Sequence, residues 1–125
     1  VPLARKTVQR QKELELQRAL RIMRDAIDRY HQMAESGLIT DESVDAMGYP
    51  PDLEALVEGV HVAGKLEKIR FLRRIPRDPM TGEREWGLRS YQDDWDSTSW
   101  GRENVFDVYS LSTGVALDGS EYQEW

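Results

Sequence analysis

The chain has 125 residues and a mass of 14.5 kDa, enough for one domain around one modest core. Hydrophobic residues make up 39% and charged residues 32%, the balance of a soluble globular chain and not of a disordered one. Cysteine is absent, which excludes thiol chemistry, disulfides and cysteine-ligated zinc, and no apolar run approaches the ~20 residues that span a bilayer.

The net charge of −6 is unevenly spread. Residues 1–33 hold eight Lys or Arg against four acids, and the remainder holds nine against nineteen. A basic helix on an acidic body suits phosphates, lipid headgroups or acidic neighbours. The acidic body speaks against nucleic acid, whose binders show a basic face with supporting aromatics. The sequence opens on Val1-Pro2 without an initiator Met, which points to an upstream segment removed by processing or by design.

From Leu3 to about Glu35 nothing breaks a helix. Leu16, Ala19, Leu20, Met23, Ala26, Ile27, Tyr30 and Met33 recur at spacings of three and four, one apolar stripe that reads as core and not as a ligand box. Ser36-Gly37 supplies the stop. Between Ala4 and Glu15 the apolar residues are Val8 and Leu14, set among Arg5, Lys6, Arg10, Lys12, Glu13 and Glu15. That half is expected to project into solvent, with Arg5, Lys6, Arg10 and Lys12 exposed. Sustained heptads are missing, so a coiled coil is not the reading.

Residues 36–70 read as a mixed αβ region. Asp41 to Met47 is expected to make a turn or two of helix with Thr40 as N-cap. Tyr49-Pro50-Pro51 forces extended chain, and Asp52 to Glu58 reads as a short helix turning Leu53, Leu56 and Val57 inward before Gly59. "HVAGKLEKI" reads as a loop. In residues 71–125, Arg84 to Tyr91 and Asn104 to Ser112 read as strands, and Gly114 and Gly119 bracket a weaker third. The plan is α+β: one long N-terminal helix packed on a small antiparallel sheet, with Leu20, Met23, Ile27 and Tyr30 facing Phe106 or Val108.

Chemistry is hard to find in this pattern. Asp93, Asp94, Asp96 and Glu103 are closely grouped, but an EF-hand loop counted from Asp94 would need Gly at Ser99 and Glu at Val105. The group reads as a solvated acidic loop. His31 and Glu35 stand four apart and read as a surface pair at the helix end. With His61 the only other histidine, a transition-metal site lacks ligands. Ser97, Ser99 and Ser110 have no histidine nearby to serve as base, and no Gly-rich phosphate loop occurs. Arg73, Arg74 and Arg77 are expected to pair locally with Glu83 and Glu85. Nothing in the chain reads as an enzyme.

Taken in order, the landmarks resemble the major, G-type pseudopilins of type II secretion. Val1-Pro2 looks like the end of that family's apolar helix segment. "RALRIMRDAIDRYH" is similar to its long-helix close, and "GYPPDLEALV" resembles its Tyr-Pro turn with a Leu-x-x-Leu-Val helix. "FLRRIPRDPMTGEREW" looks like its Arg-x-Pro-x-Asp-Pro block, while "FDVYSLSTG" and the closing "EYQEW" are similar to its last strand and terminal Trp. The resemblance covers residues 1–125 as one domain.

The resemblance implies a periplasmic domain of a bacterial inner-membrane-anchored precursor, processed by a dedicated peptidase and methylated. Anchoring would lie only in an N-terminal segment upstream of Val1. The subunit would join copies of itself, other pseudopilins and inner-membrane secretion components in a helical fibre. Pro76, Asp78 and Pro79 would be a structural joint leading from the family's variable region, here residues 36–70, into the sheet. Arg5, Lys6, Val8, Arg10, Lys12, Glu13 and Glu15 would form the assembly helix, its bases meeting Glu13 or Glu15 of a neighbour. Family members commonly hold calcium near the last Trp through adjacent aspartates. Here the loop lacks such a pair, so no ion is expected; Ser110, Ser112, Asp118 and Glu121 are the candidate ligands otherwise. Other readings are a type IV pilus subunit, an adaptor whose basic helix binds an acidic partner or nucleic acid, and a hydrolase using Asp93 and Asp96.

Overall fold

The computed structural model describes residues 2–40 and 43–125; Val1, and the expected helix start at Asp41-Glu42, lie outside the described residues. The protein is α+β. Helix α1 (Leu3–Glu35) is followed by helix α2 (Glu54–Glu58) and by a two-stranded antiparallel sheet of β1 (Gly87–Arg89) and β2 (Asp107–Tyr109).

The stripe predicted from spacing is the face that α1 buries. Leu16, Leu20, Met23, Ala26, Ile27 and Tyr30 are all nearly inaccessible and share one core with Leu56, Val105 and Val108. The helix ends where the sequence places the stop. Gly37 takes φ +75°, its N–H bonds the carbonyl of Ala34, and the Leu38 N–H reaches back to Met33. This is the paired-bond ending that a left-handed glycine permits.

In the middle region the described part of the expected helix is a single 3₁₀ turn, Val44–Ala46, preceded by Ser43 and without a side-chain cap. The short helix α2 starts two residues later than expected, and ahead of it Asp52 Oδ1 accepts the Ala55 N–H at 2.8 Å. Leu53 and Leu56 are buried and Val57 is half-buried, and Gly59 closes the helix. The loop after it closes through a bridge between Val60 and Ile69.

The sheet is smaller than the aromatic and β-branched runs suggest. Pairing is confined to Gly87 with Tyr109, Leu88 with Val108 and Arg89 with Asp107. The expected third strand is only an isolated bridge, Val115 to Glu121. At Gly87 a Cβ would sit 2.1 Å from the Tyr109 ring, so glycine is required for the ring to lie across the partner strand. On the same ring rests the Arg89 guanidinium, 4.0 Å from its centroid.

Of the two residues expected opposite α1, Val108 is there and Phe106 is not. Phe106 precedes the paired segment and points outward, 44% exposed, into a cluster with Tyr49 and Tyr91. Helix and sheet are strapped by Arg24, whose Nε donates to Asp107 Oδ1 at 2.8 Å and whose Nη2 donates to the Val108 carbonyl at 3.0 Å. No helix among the described residues is long and apolar enough to cross a membrane.

Candidate functional site

The first turns of α1 are largely exposed. Leu3 is 80% exposed and Val8 56%, and Arg5, Lys6, Arg10, Lys12 and Glu15 are all exposed. Two apolar side chains thus stand exposed among bases at this end of α1.

Glu13 corrects the expected picture. It is buried, and both carboxylate oxygens face the Leu117 N–H at 3.3–3.4 Å, while Tyr122 donates its phenol to Oε2 at 3.2 Å. One turn earlier the Gln9 amide donates to the Val115 carbonyl at 3.2 Å and to the Tyr122 oxygen at 2.9 Å. The contact with the body therefore begins at Gln9 and not at Leu16. Glu13 is consumed inside its own chain and cannot meet a neighbour's bases, which leaves Glu15 as the exposed acid on this half. Burial pushes the Tyr122 phenol up from its ordinary value, and the adjacent Glu13 carboxylate adds to the shift.

Beside this pin lies an open groove of about 550 Å³, lined by Ala4, Val8 and Lys12 of α1 and by Met80, Val115 and Tyr122 of the body. Its walls are mainly apolar. Projecting helix and groove together make one continuous surface.

In the Pro76–Pro79 block the two prolines are half-buried and Arg77 is exposed. Asp78 is fully buried: Oδ1 accepts the Met80 N–H at 2.8 Å and Oδ2 accepts the Ser110 hydroxyl at 2.6 Å. Its backbone N–H bonds Glu83, its carbonyl takes the Gly82 N–H, and Gly82 adopts φ +78°. The Trp86 indole donates to the Pro76 carbonyl at 2.9 Å. One carboxylate thus ties the turn after Pro79 to the segment that leaves β2.

The four candidate calcium ligands do different work. Ser110 is committed to Asp78, and the Ser112 hydroxyl accepts the Gly114 N–H. Asp118 Oδ1 accepts both the N–H and the hydroxyl of Ser120, and that hydroxyl holds its carboxyl below the usual range. Glu121 is exposed in the bridge to Val115. Among the described residues no three acids or histidines are gathered as metal ligands.

Other candidates also resolve into structure. Asp93 is not part of a plain acidic loop. It accepts the Ser90 N–H at 2.8 Å and the Gly101 N–H at 3.0 Å, bonds that hold its carboxyl below the ordinary range, the Gly101 bond most. Asp94 and Asp96 remain exposed. His31 reaches Glu35 at 3.7 Å, but it also stacks on Tyr49 at 4.1 Å and bonds the Gly48 carbonyl, so it is a packed joint as well as a pair. Among the described residues Arg73, Arg74 and Arg77 form no ion pair with Glu83 or Glu85.

Two elements escaped the sequence reading. Asn104 is a buried hub, with its Oδ1 accepting the Tyr91 N–H, its amide reaching Asp45 and Gln92, and its carbonyl taking Ser90 and Trp100. Gln9 is the other, and only the single uncharged polar pair Gln9 and Gln11 among bases marks it in the sequence. Compared with protein-family models, with curated proteins and with solved structures, the chain matches none.

Proposed function

We propose that the chain is a structural subunit of the periplasmic pseudopilus of a type II protein secretion system. The observation that carries the reading is α1: 33 residues long, packed through its second half and pinned at Gln9 and Glu13, with an exposed basic and apolar end beyond the pin. The order of landmarks that resembles the major pseudopilins supports it. Under this reading the exposed end packs with helices of neighbouring copies and of other pseudopilins, and the chain is the periplasmic part of an inner-membrane-anchored protein. It has no catalytic role and needs no resident cofactor, and its Pro76–Pro79 block is scaffold.

Deleting the encoding gene in its own host tests the reading. Folded substrates of the secretion system should accumulate in the periplasm, while surface pili and surface motility stay as before. Lost pili with intact secretion would instead make the chain a type IV pilus subunit, and an unchanged phenotype in both would overturn the fibre reading.

A further inference from the structure

One cleft of the molecule is lined by arginines and by no acid. Arg73, Arg74, Arg77 and Arg84 surround a cleft of about 510 Å³ whose floor is apolar, formed by Leu72 and Ile22. Ile22 is an α1 residue left 51% exposed, off the core stripe. Arg84 donates to the Ile75 carbonyl, but none of the four forms an ion pair among the described residues. On a chain of net charge −6 this is a concentrated positive surface looking for negative charge.

The opposite features occur on another face. Trp95 is 81% exposed, and it stands between Asp94 and Asp96, both exposed. Beside it, Glu121 and Glu124 line the same shallow depression. The two bases that border this depression are already engaged: Arg24 with Asp107, and Arg89 with the Ser97 carbonyl and the Tyr109 ring. An indole projecting between two carboxylates is the converse of an apolar cleft rimmed by guanidinium groups.

Within one molecule the two cannot meet. Ile22 belongs to the arginine cleft and Arg24 to the Trp95 depression. Two positions along an α-helix turn by about 200° at ~3.6 residues per turn, so the surfaces lie on opposite sides of α1. We infer that the Trp95 loop of one copy seats in the arginine-rimmed cleft of the next, head to tail. Such a contact uses two different patches and leaves one of each free at the ends, so it propagates from copy to copy wherever the rotation between copies does not close a ring. It deepens the fibre reading and rests on that reading for its setting. A single indole buries about 150–250 Å², far below the roughly 1,200 Å² of a stable interface. The pair is therefore weak alone and acts when copies are already held side by side.

The absence of cysteine makes the test clean. A D94C chain and an R74C chain are mixed at high concentration and joined with a short bis-maleimide. The mixed dimer should form in preference to either homodimer, and a chain carrying both substitutions should give a ladder. Adding Arg73→Glu and Arg77→Glu should slow mixed cross-linking about tenfold, since rim charges govern encounter. Trp95→Ala, which alters no buried group, should slow it comparably. Homodimers as abundant as the mixed dimer, or cross-linking indifferent to both sets of changes, would overturn the pairing. That failure leaves the gene-deletion result untouched, so it refutes this contact and not the fibre reading.

Discussion

Ile27→Asp should lower the stability of the isolated chain by about 4 kcal/mol, the cost of an acid placed in apolar surroundings without a partner. Ile27 is 1% exposed, in the middle of the α1 stripe and in the same core as Val108 and Leu56. At the neighbouring exposed position, Asp28→Asn should change little, because surface substitutions stay within about ±0.5 kcal/mol. Denaturant titration of the three proteins measures both effects. Equal midpoints for Ile27→Asp and the parent would mean that α1 docks through another face.

The second large effect is expected at Asp78. Its carboxylate is fully buried and holds the Met80 N–H and the Ser110 hydroxyl together. Asp78→Ala removes both acceptors and leaves two donors buried without partners, a loss of about 3 kcal/mol. Asp78→Asn keeps the shape and an acceptor for Met80, and the Ser110 oxygen can accept from the new amide, so it should lose less than half as much. Ser110→Ala combined with Asp78→Ala should cost less than the separate losses added, because the two side chains share one bond. Additive losses would show that Asp78 acts through Met80 alone.

These sites differ in how far the sequence discloses them. The α1 stripe was legible because helical periodicity is local: residues three and four apart share a face whatever lies elsewhere in the chain. The stop at Ser36-Gly37 was legible for the same reason. Glu13 was not. A glutamate among lysines and arginines reads as solvated, and its burial is decided by Leu117 and Tyr122, 104 and 109 residues away. The strands were overextended because β-branched and aromatic runs report a preference, while the ladder's length depends on non-local pairing. Here the ladder stops at Arg89 and Asp107, where the Asn104 hub takes over the hydrogen bonds of Ser90 and Tyr91. Phe106 illustrates the cost of that error. Placed inside a strand it would share the face of Val108; just outside one, it joins Tyr49 and Tyr91 at the surface. The unpaired arginines were hidden as well, since closeness in sequence to Glu83 and Glu85 does not fix direction in space.

The central claim is that α1 has two halves with separate duties, a packed half that stabilises the body and a projecting end that serves assembly. Arg10 and Lys12 lie beside the pin formed by Gln9 and Glu13, yet both are exposed and neither forms an ion pair among the described residues. Reversing both, Arg10→Glu with Lys12→Glu, separates the duties in one measurement made on two preparations. The isolated chain should melt within about 4 °C of the parent, as substitutions of unpaired exposed charges stay within about ±0.5 kcal/mol each, while the same two changes in the chromosomal gene should abolish most secretion. A chain that melts many degrees lower, in cells that secrete normally, would contradict the account.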